Sequence, residues 1–330
     1  MIISLKAKWP SAAIVAASLM LPEFMSAQCA AADTWPNRPV RFIVTLGAGS
    51  GVNISARLLA DRLSTRWRQP VVVENRPGGD GIVAITSFLG AHDDHTLLVT
   101  PTASFVAHPF FHDKLPYDPR DLVPVARISK TIVTVNVPSS SNINSLKELA
   151  AQARSKPGEL NWATGTGFTD FVFAGFLHAA GLRMAKVPYK DPVAATTDLA
   201  EGRIQVYMAS FAIVQPQVLA GKVKVLAVTN RERASAILPD IPTAIEVGYP
   251  SLEFDGLVGV FGLREMAAHV RSLIAEDIQA VAADAVINQT LTNTGQVVSL
   301  SNGAEFAASI EEQQAQVAAV ARLLGKSPAH

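Results

Sequence analysis

The stretch Val40–Leu63, VRFIVTLGAGSGVNISARLLADRL, decides how the rest of the chain is read. Val40 to Leu46 is an apolar run of strand composition. From Asn53 to Trp67 the spacing of Ile54, Leu58, Leu59 and Leu63 is helical. Between them lies Gly47-Ala48-Gly49-Ser50-Gly51. Glycines let successive N–H groups point inward, and the following helix adds its positive end, so such a turn favours an anion. Ser50 and Asn53 add side-chain donors. Taken alone, such a turn is a weak signal, and it also reads as a plain tight connection.

Working outward, the pattern repeats. Val71-Val72-Val73 reads as a buried strand and Thr96 to Thr100 as another. A second set follows: a strand over Ile132 to Val137, then a helix over Ser145 to Ser155 with Ser145 as N-cap and Glu148 completing a capping box. Asn161 to Ala163 is a strand candidate, and it runs into Thr164-Gly165-Thr166-Gly167-Phe168-Thr169-Asp170 and a helix from Thr169 to Ala180. Pro192 to Glu201, Val206 to Ala209, Val225 to Thr229 and Asp255 to Phe261 continue the alternation, and Glu305 to Leu324 is a tail helix. Strand–helix alternation predicts parallel sheet covered on both faces. Two such units imply a cleft, with ligand at the carboxyl ends of the strands. Three loops leave those ends: the two glycine turns, and Thr100-Pro101-Thr102-Ala103-Ser104, whose hydroxyls donate without adding charge.

Composition narrows the function. The chain has 330 residues, with 28 Lys and Arg balanced by 28 Asp and Glu. No long basic run supports nucleic-acid binding. Residues 1–32 read as a signal peptide: Lys6 and Lys8, a short apolar run from Ala12 to Leu21, then Ala30-Ala31-Ala32 for cleavage. That run is too short to span a bilayer. Cys29 is the single cysteine, and Gln28 before it does not suit a lipoprotein anchor. Cleavage after Ala32 leaves no thiol, hence no disulfide and no cysteine nucleophile. The first turn is G-x-G-x-G rather than the dinucleotide G-x-G-x-x-G, although Glu74 ends the next strand where an acid would meet a ribose. His92, His95, His108 and His112 fall in apparent loops and read as solvated rather than metal-bound.

In order along the chain, WPNRPVRFIVTLGAGSG from Trp35, VVVENRPGGDG (Val71 to Gly81), LPYDP (Leu115 to Pro119), PGELNWATGTG (Pro157 to Gly167), VPYK (Val187 to Lys190), AGKVKVLAVTN (Ala220 to Asn230) and LPDIPTAIEVGYP (Leu238 to Pro250) resemble the tripartite tricarboxylate transporter receptors, also called Bug receptors. The resemblance runs from Trp35 to about Leu324. It implies two Rossmann-like α/β domains joined by a hinge, as in periplasmic binding proteins that close like a Venus flytrap. Residues 33–137 and 255–330 would form the first domain and 138–254 the second. It also implies a monomeric receptor in the periplasm that catalyses nothing, uses no cofactor or metal, captures a small carboxylate and hands it to the permease subunits of a tripartite tricarboxylate-type membrane transporter. A membrane sensor as reader of the closed form, and an enzyme on the same scaffold, are the alternatives.

The binding residues that the resemblance and the loop chemistry pick out are Gly47, Gly49, Ser50, Gly51 and Asn53; Thr102, Ala103 and Ser104; Thr164, Gly165, Thr166, Phe168 and Thr169; and Tyr189, Asp191, Ala209 and Ser210. The family often has Thr-Asp where this chain has Val52-Asn53, glycine where it has Asp191, and aspartate where it has Ala209. Losing the carboxylates at Asn53 and Ala209 argues against an amino-acid ligand and for a less polar acid, aromatic or short-chain; Phe168 beside the second turn fits that, and equally fits ordinary packing at a helix start.

Overall fold

The computed structural model describes residues 35–328 except Thr166 and Lys190. The expected signal peptide lies outside the described residues. From Trp35 on, the chain clusters as one compact unit.

The first run of elements is β1 (Val40–Val44), α1 (Gly51–Trp67), β2 (Val71–Asn75), α2 (Ile82–Leu89), β3 (Thr96–Pro101), the short α3 (His108–Phe111) and β4 (Val123–Thr131). A second run holds β5 (Val133–Pro138), α4 (Leu146–Ser155), β6 (Asn161–Thr164), α5 (Gly167–Ala179), β7 (Ala185–Lys186), α6 (Pro192–Ala200), β8 (Val206–Ser210), α7 (Phe211–Leu219) and β9 (Val223–Val228). The chain then returns through β10 (Gly256–Gly262), α8 (Ala268–Ala282), α9 (Ala285–Asn293), β11 (Gln296–Asn302) and α10 (Gly303–Leu323).

The strands form a six-stranded sheet in the order β11-β4-β10-β3-β1-β2 and a five-stranded sheet in the order β7-β6-β8-β5-β9. Both sheets are mixed, which corrects the all-parallel expectation. β1 runs parallel to β2 and β3, but β10 lies antiparallel between β3 and β4. In the second sheet β5 is antiparallel to β8 and β9. A strand that returns from a distant part of the chain carries no local sign of its direction. Val71-Val72-Val73, expected as a buried strand, is an edge strand, with Val72 47% exposed.

Local chemistry sets the ends. Ser145 accepts from the Glu148 amide at 3.1 Å and the Glu148 carboxylate takes the Asn144 amide at 2.7 Å, one residue earlier than a standard capping box. Gly259 sits in β10 where any Cβ would run into the ring of Phe306 on α10, so α10 lies close against the sheet.

One apolar cluster runs through both sheets, joining Ile43 and Leu98 to Val135 and Phe173. Polar ties mark the two crossings between sheets. Asn230 donates to the Thr131 carbonyl at 3.0 Å and to Asp255 at 3.2 Å. Lys130 meets Asp255 at 2.9 Å, with both side chains mostly buried. α10 also touches the second sheet's layer: a Cβ at Gly175 of α5 would stand 2.8 Å from Val320.

A cavity at the carboxyl ends of the strands

The ends of β1 and β3 are tied by Thr45 and Thr100, whose hydroxyls lie 2.9 Å apart. After β1 the glycine turn folds on itself. Ser50 caps α1, accepting from the Asn53 amide at 3.2 Å while its hydroxyl donates to the Gly47 carbonyl at 2.9 Å. Asn53 is buried; it donates to Asn75 at 2.9 Å and accepts from the Gly49 amide at 3.4 Å. Asn75 in turn donates to the Leu46 carbonyl at 2.7 Å. Ser50 and Asn53, expected to offer donors to a ligand, here bond within the turn and to Asn75. Gly51 faces Gln296 of β11, with a Cβ there falling 2.6 Å from its amide nitrogen. Among the described residues the amides of Gly47 and Ala48 meet no acceptor.

Beyond β3 the chain makes a 3-10 turn over Thr102–Ser104. Thr102 is buried under it and donates to Gln313 of α10 at 2.6 Å, which turns its hydroxyl away from the cleft. Ala103 and Ser104 remain on the open side, and among the described residues the Ser104 hydroxyl has no partner.

The third wall was not assigned to the site from the sequence: the loop Arg76–Gly81 after β2. Gly78, Gly79, Asp80 and Gly81 all have positive φ (129°, 56°, 54° and 99°). Gly81 packs so closely that a Cβ would stand 3.0 Å from Ser104 Cβ and 3.3 Å from Thr45 Cγ2. His108 holds this loop from the other side. Its Nε2 lies 3.2 Å from the Asp80 carbonyl and its Nδ1 2.7 Å from the Tyr117 hydroxyl. A carbonyl can only accept, so in the neutral ring Nε2 carries the proton and Nδ1 accepts from Tyr117. Burial, with His112 beside it, lowers the His108 pKa from its ordinary 6.5. The reading of the histidines as solvated holds for His92 and is corrected for His95 and His108, both buried.

Together these loops enclose a cavity of about 300 Å³. Gly47, Ala103, Ser104 and Phe168 are the sequence-selected residues that line it, with Thr45, the Pro77–Gly81 loop, His108 and Phe111. Phe168 comes from α5, so the second sheet's layer supplies part of the wall. No lysine or arginine is among the described lining residues, and the one acid, Asp80, is exposed on the rim.

The remaining sequence-selected residues sit around the second sheet's carboxyl ends. Gly165 donates its amide to the Met208 carbonyl at 3.0 Å, so that N–H is taken by the sheet and is not a free anion donor. Ala209 is buried beneath it. Thr164 donates to Asp170, which Lys186 meets at 2.5 Å, and Thr169 is buried. Tyr189 donates to Asp198 at 2.5 Å; burial and that carboxylate push its pKa up to about 12. Asp191 caps α6 by accepting from the Val193 amide at 2.9 Å, and Ser210 opens α7. Thr166 and the neighbouring Lys190 lie outside the described residues.

Two mixed α/β sheets with a cavity at their strand ends form the architecture of a two-domain periplasmic binding protein. The structure of a periplasmic transporter matches with a TM-score of 0.76 and 26% identity, over 87% of this chain and 97% of that one. A structure of an R. palustris protein, Rpa4515 with adipate, matches with a TM-score of 0.78 and 26% identity, over 89% and 99%. The chain belongs to the family described as "Tripartite tricarboxylate transporter family receptor", which matches residues 55–325. A UPF0065 protein of Bordetella bronchiseptica is 30% identical over 296 residues, 88% of this chain and 87% of its own length. A second UPF0065 protein, from Pseudomonas sp. strain P51, is 33% identical over 77% of each chain.

Proposed function

We propose that this protein is a periplasmic solute-binding receptor, not an enzyme, that takes a small carboxylate into the cavity and delivers it to permease subunits of a tripartite tricarboxylate-type transporter. The observation that carries this reading is the cavity's lining, which combines neutral donors with the rings of Phe111 and Phe168 and holds no lysine or arginine among the described residues. Backbone amides and a hydroxyl hold a carboxylate by charge-assisted hydrogen bonds without a cationic side chain. The Gly47 amide and the Ser104 hydroxyl stand ready for that role. Phe111 and Phe168 leave the rest of the ligand an apolar bed, which favours an acid poor in other polar groups. A volume of about 300 Å³ is at the small end of ligand pockets.

In this reading the lobe of the six-stranded sheet and the lobe of the five-stranded sheet hinge at the Asn230, Lys130 and Asp255 ties, and because β5 (Val133–Pro138) pairs within the second sheet, the first crossing falls at Ile132 rather than at the expected 137/138 boundary. Ligand favours closure only by touching both lobes at once. Phe168 gives the second lobe its contact. The signal peptide exports the chain, which works as a monomer without metal or cofactor.

Isothermal titration calorimetry with adipate, short monocarboxylates and the matching uncharged amides tests the proposal. Binding of at least one carboxylate, with none of its amide, is expected. Binding of sugars or cations with no carboxylate bound contradicts it, as does turnover of a ligand by the purified protein.

A further inference from the structure

Phe168 stands between two cavities. On one side is the cleft cavity of about 300 Å³. On the other is a groove of about 200 Å³ walled by Phe171, Val172, Pro250, Val317 and Val320. The Phe168 side chain lines both and is itself buried. Its ring is fixed by Phe254, 4.3 Å away between centroids.

The partition extends sideways through a second pair of rings. Phe111 lines the cleft cavity, Phe171 lines the groove, and the two meet edge to face at 4.8 Å. Lys326 seals this seam, its ammonium 5.1 Å from the Phe111 centroid and 5.2 Å from that of Phe171. The end of α10 sets that position. Gly325 turns back with φ 68°, and the Lys326 amide bonds to the Ala321 carbonyl at 2.9 Å.

We propose that Phe168 is the end wall that limits ligand length, and that the ligand is a carboxylate whose apolar end rests against this ring. The inference deepens the carboxylate reading and rests on it. With the carboxylate held at the Gly47 and Ser104 end, an alkyl chain grows toward Phe168. Each buried methylene is worth about 0.8 kcal/mol, or roughly four-fold in Kd. The gain stops where the chain meets the ring. The groove behind it is apolar, so it suits further methylenes and not a second carboxylate.

The test is calorimetry of straight-chain monocarboxylates, from propionate to decanoate, against the wild type and three variants. In the wild type, affinity rises with each methylene, reaches a limit and falls. Phe168→Ala opens the groove to the chain: affinity keeps rising for at least two methylenes past the wild-type limit, a gain of about ten-fold or more for the longer acids. Phe168→Leu moves the limit in the same direction by less, which keeps the test available if the alanine variant fails to fold. Phe168→Trp thickens the wall and moves the limit to shorter acids. Folded Ala and Leu variants with an unchanged limit overturn the inference and leave the receptor reading standing. A wild type that binds dicarboxylates and no monocarboxylate does the same. Absence of all carboxylate binding overturns both.

Discussion

Replacing Gly81 with alanine separates the packing of the cavity wall from backbone preference. Gly81 has φ 99°, a conformation that L-residues seldom adopt, and its missing Cβ would press on Ser104 Cβ at 3.0 Å and the Ser104 carbonyl at 3.4 Å. Backbone strain at such a position costs about 1–3 kcal/mol. Forcing a methyl into a close-packed site costs about 1–3 kcal/mol more. The sum, about 2–6 kcal/mol, lowers the melting temperature by roughly 4–12 °C. Ser104 must give way by a few tenths of an ångström, and carboxylate affinity falls by about ten-fold because donor placement governs a charge-assisted bond. Gly158→Ala is the internal control: its φ is 86°, but nothing stands within 4 Å of the added Cβ. That variant loses only the backbone share, about 1–3 kcal/mol, and binds as the wild type does. Thermal melts and calorimetry of the pair decide it. If Gly81→Ala melts with Gly158→Ala and binds unchanged, the close packing of the three loops around the cavity is wrong.

Three further outcomes follow from the same geometry. His108 has a folded-state pKa below the 6.5 of the unfolded chain, so stability is complete above that value and drains away as pH falls through the folded value. Urea titrations at about pH 7.5 and about pH 5.5 should show a smaller loss for His108→Gln than for the wild type. Asp80→Asn removes an acid from the cavity rim and should raise carboxylate affinity about two- to five-fold at low salt, with less gain as salt rises; weaker binding would mean that the Asp80 carboxylate itself holds the ligand. Asp277 is buried between α8 and α1, where it accepts from Trp67 at 2.6 Å and from Arg66. Asp277→Ala leaves the indole N–H unpaired and should cost about 1–3 kcal/mol in chemical denaturation, with ligand affinity unchanged.

How much of this was legible in the sequence varied with how local the signal was. Ser145 and Glu148 declare a helix start within four residues, and the structure follows them closely. The strand–turn–helix around Gly47 was equally plain. β4, with the sequence VPVARISKT, was missed because an antiparallel neighbour on each side leaves its polar residues paired rather than patterned. β11 was missed for a related reason: its bulge between Val298 and Ser301 breaks the alternation. Sheet direction was misread because β10 arrives from more than a hundred residues away to lie between β3 and β4.

Within the site, glycine density pointed to the right loops but not to the role of each side chain. Asn53 and Thr102 carry donors suited to a ligand, yet each has a protein partner that only the tertiary fold supplies, Asn75 and Gln313. The RPGGDG loop was recognised as a family block and not as a cavity wall, because nothing local shows that it turns back onto Thr45 and Ser104. His108 gave no periodic signal; its burial depends on Tyr117 and the Asp80 carbonyl.

Hydrogen exchange with and without a saturating carboxylate tests the central claim most directly. Amides in three segments of the first sheet's loops (46–48, 78–81 and 103–105) and in α5 from Phe168 onward should gain protection together, because one ligand touches both layers. Protection confined to one layer, or appearing only at sites away from this cavity, would contradict capture between two closing lobes.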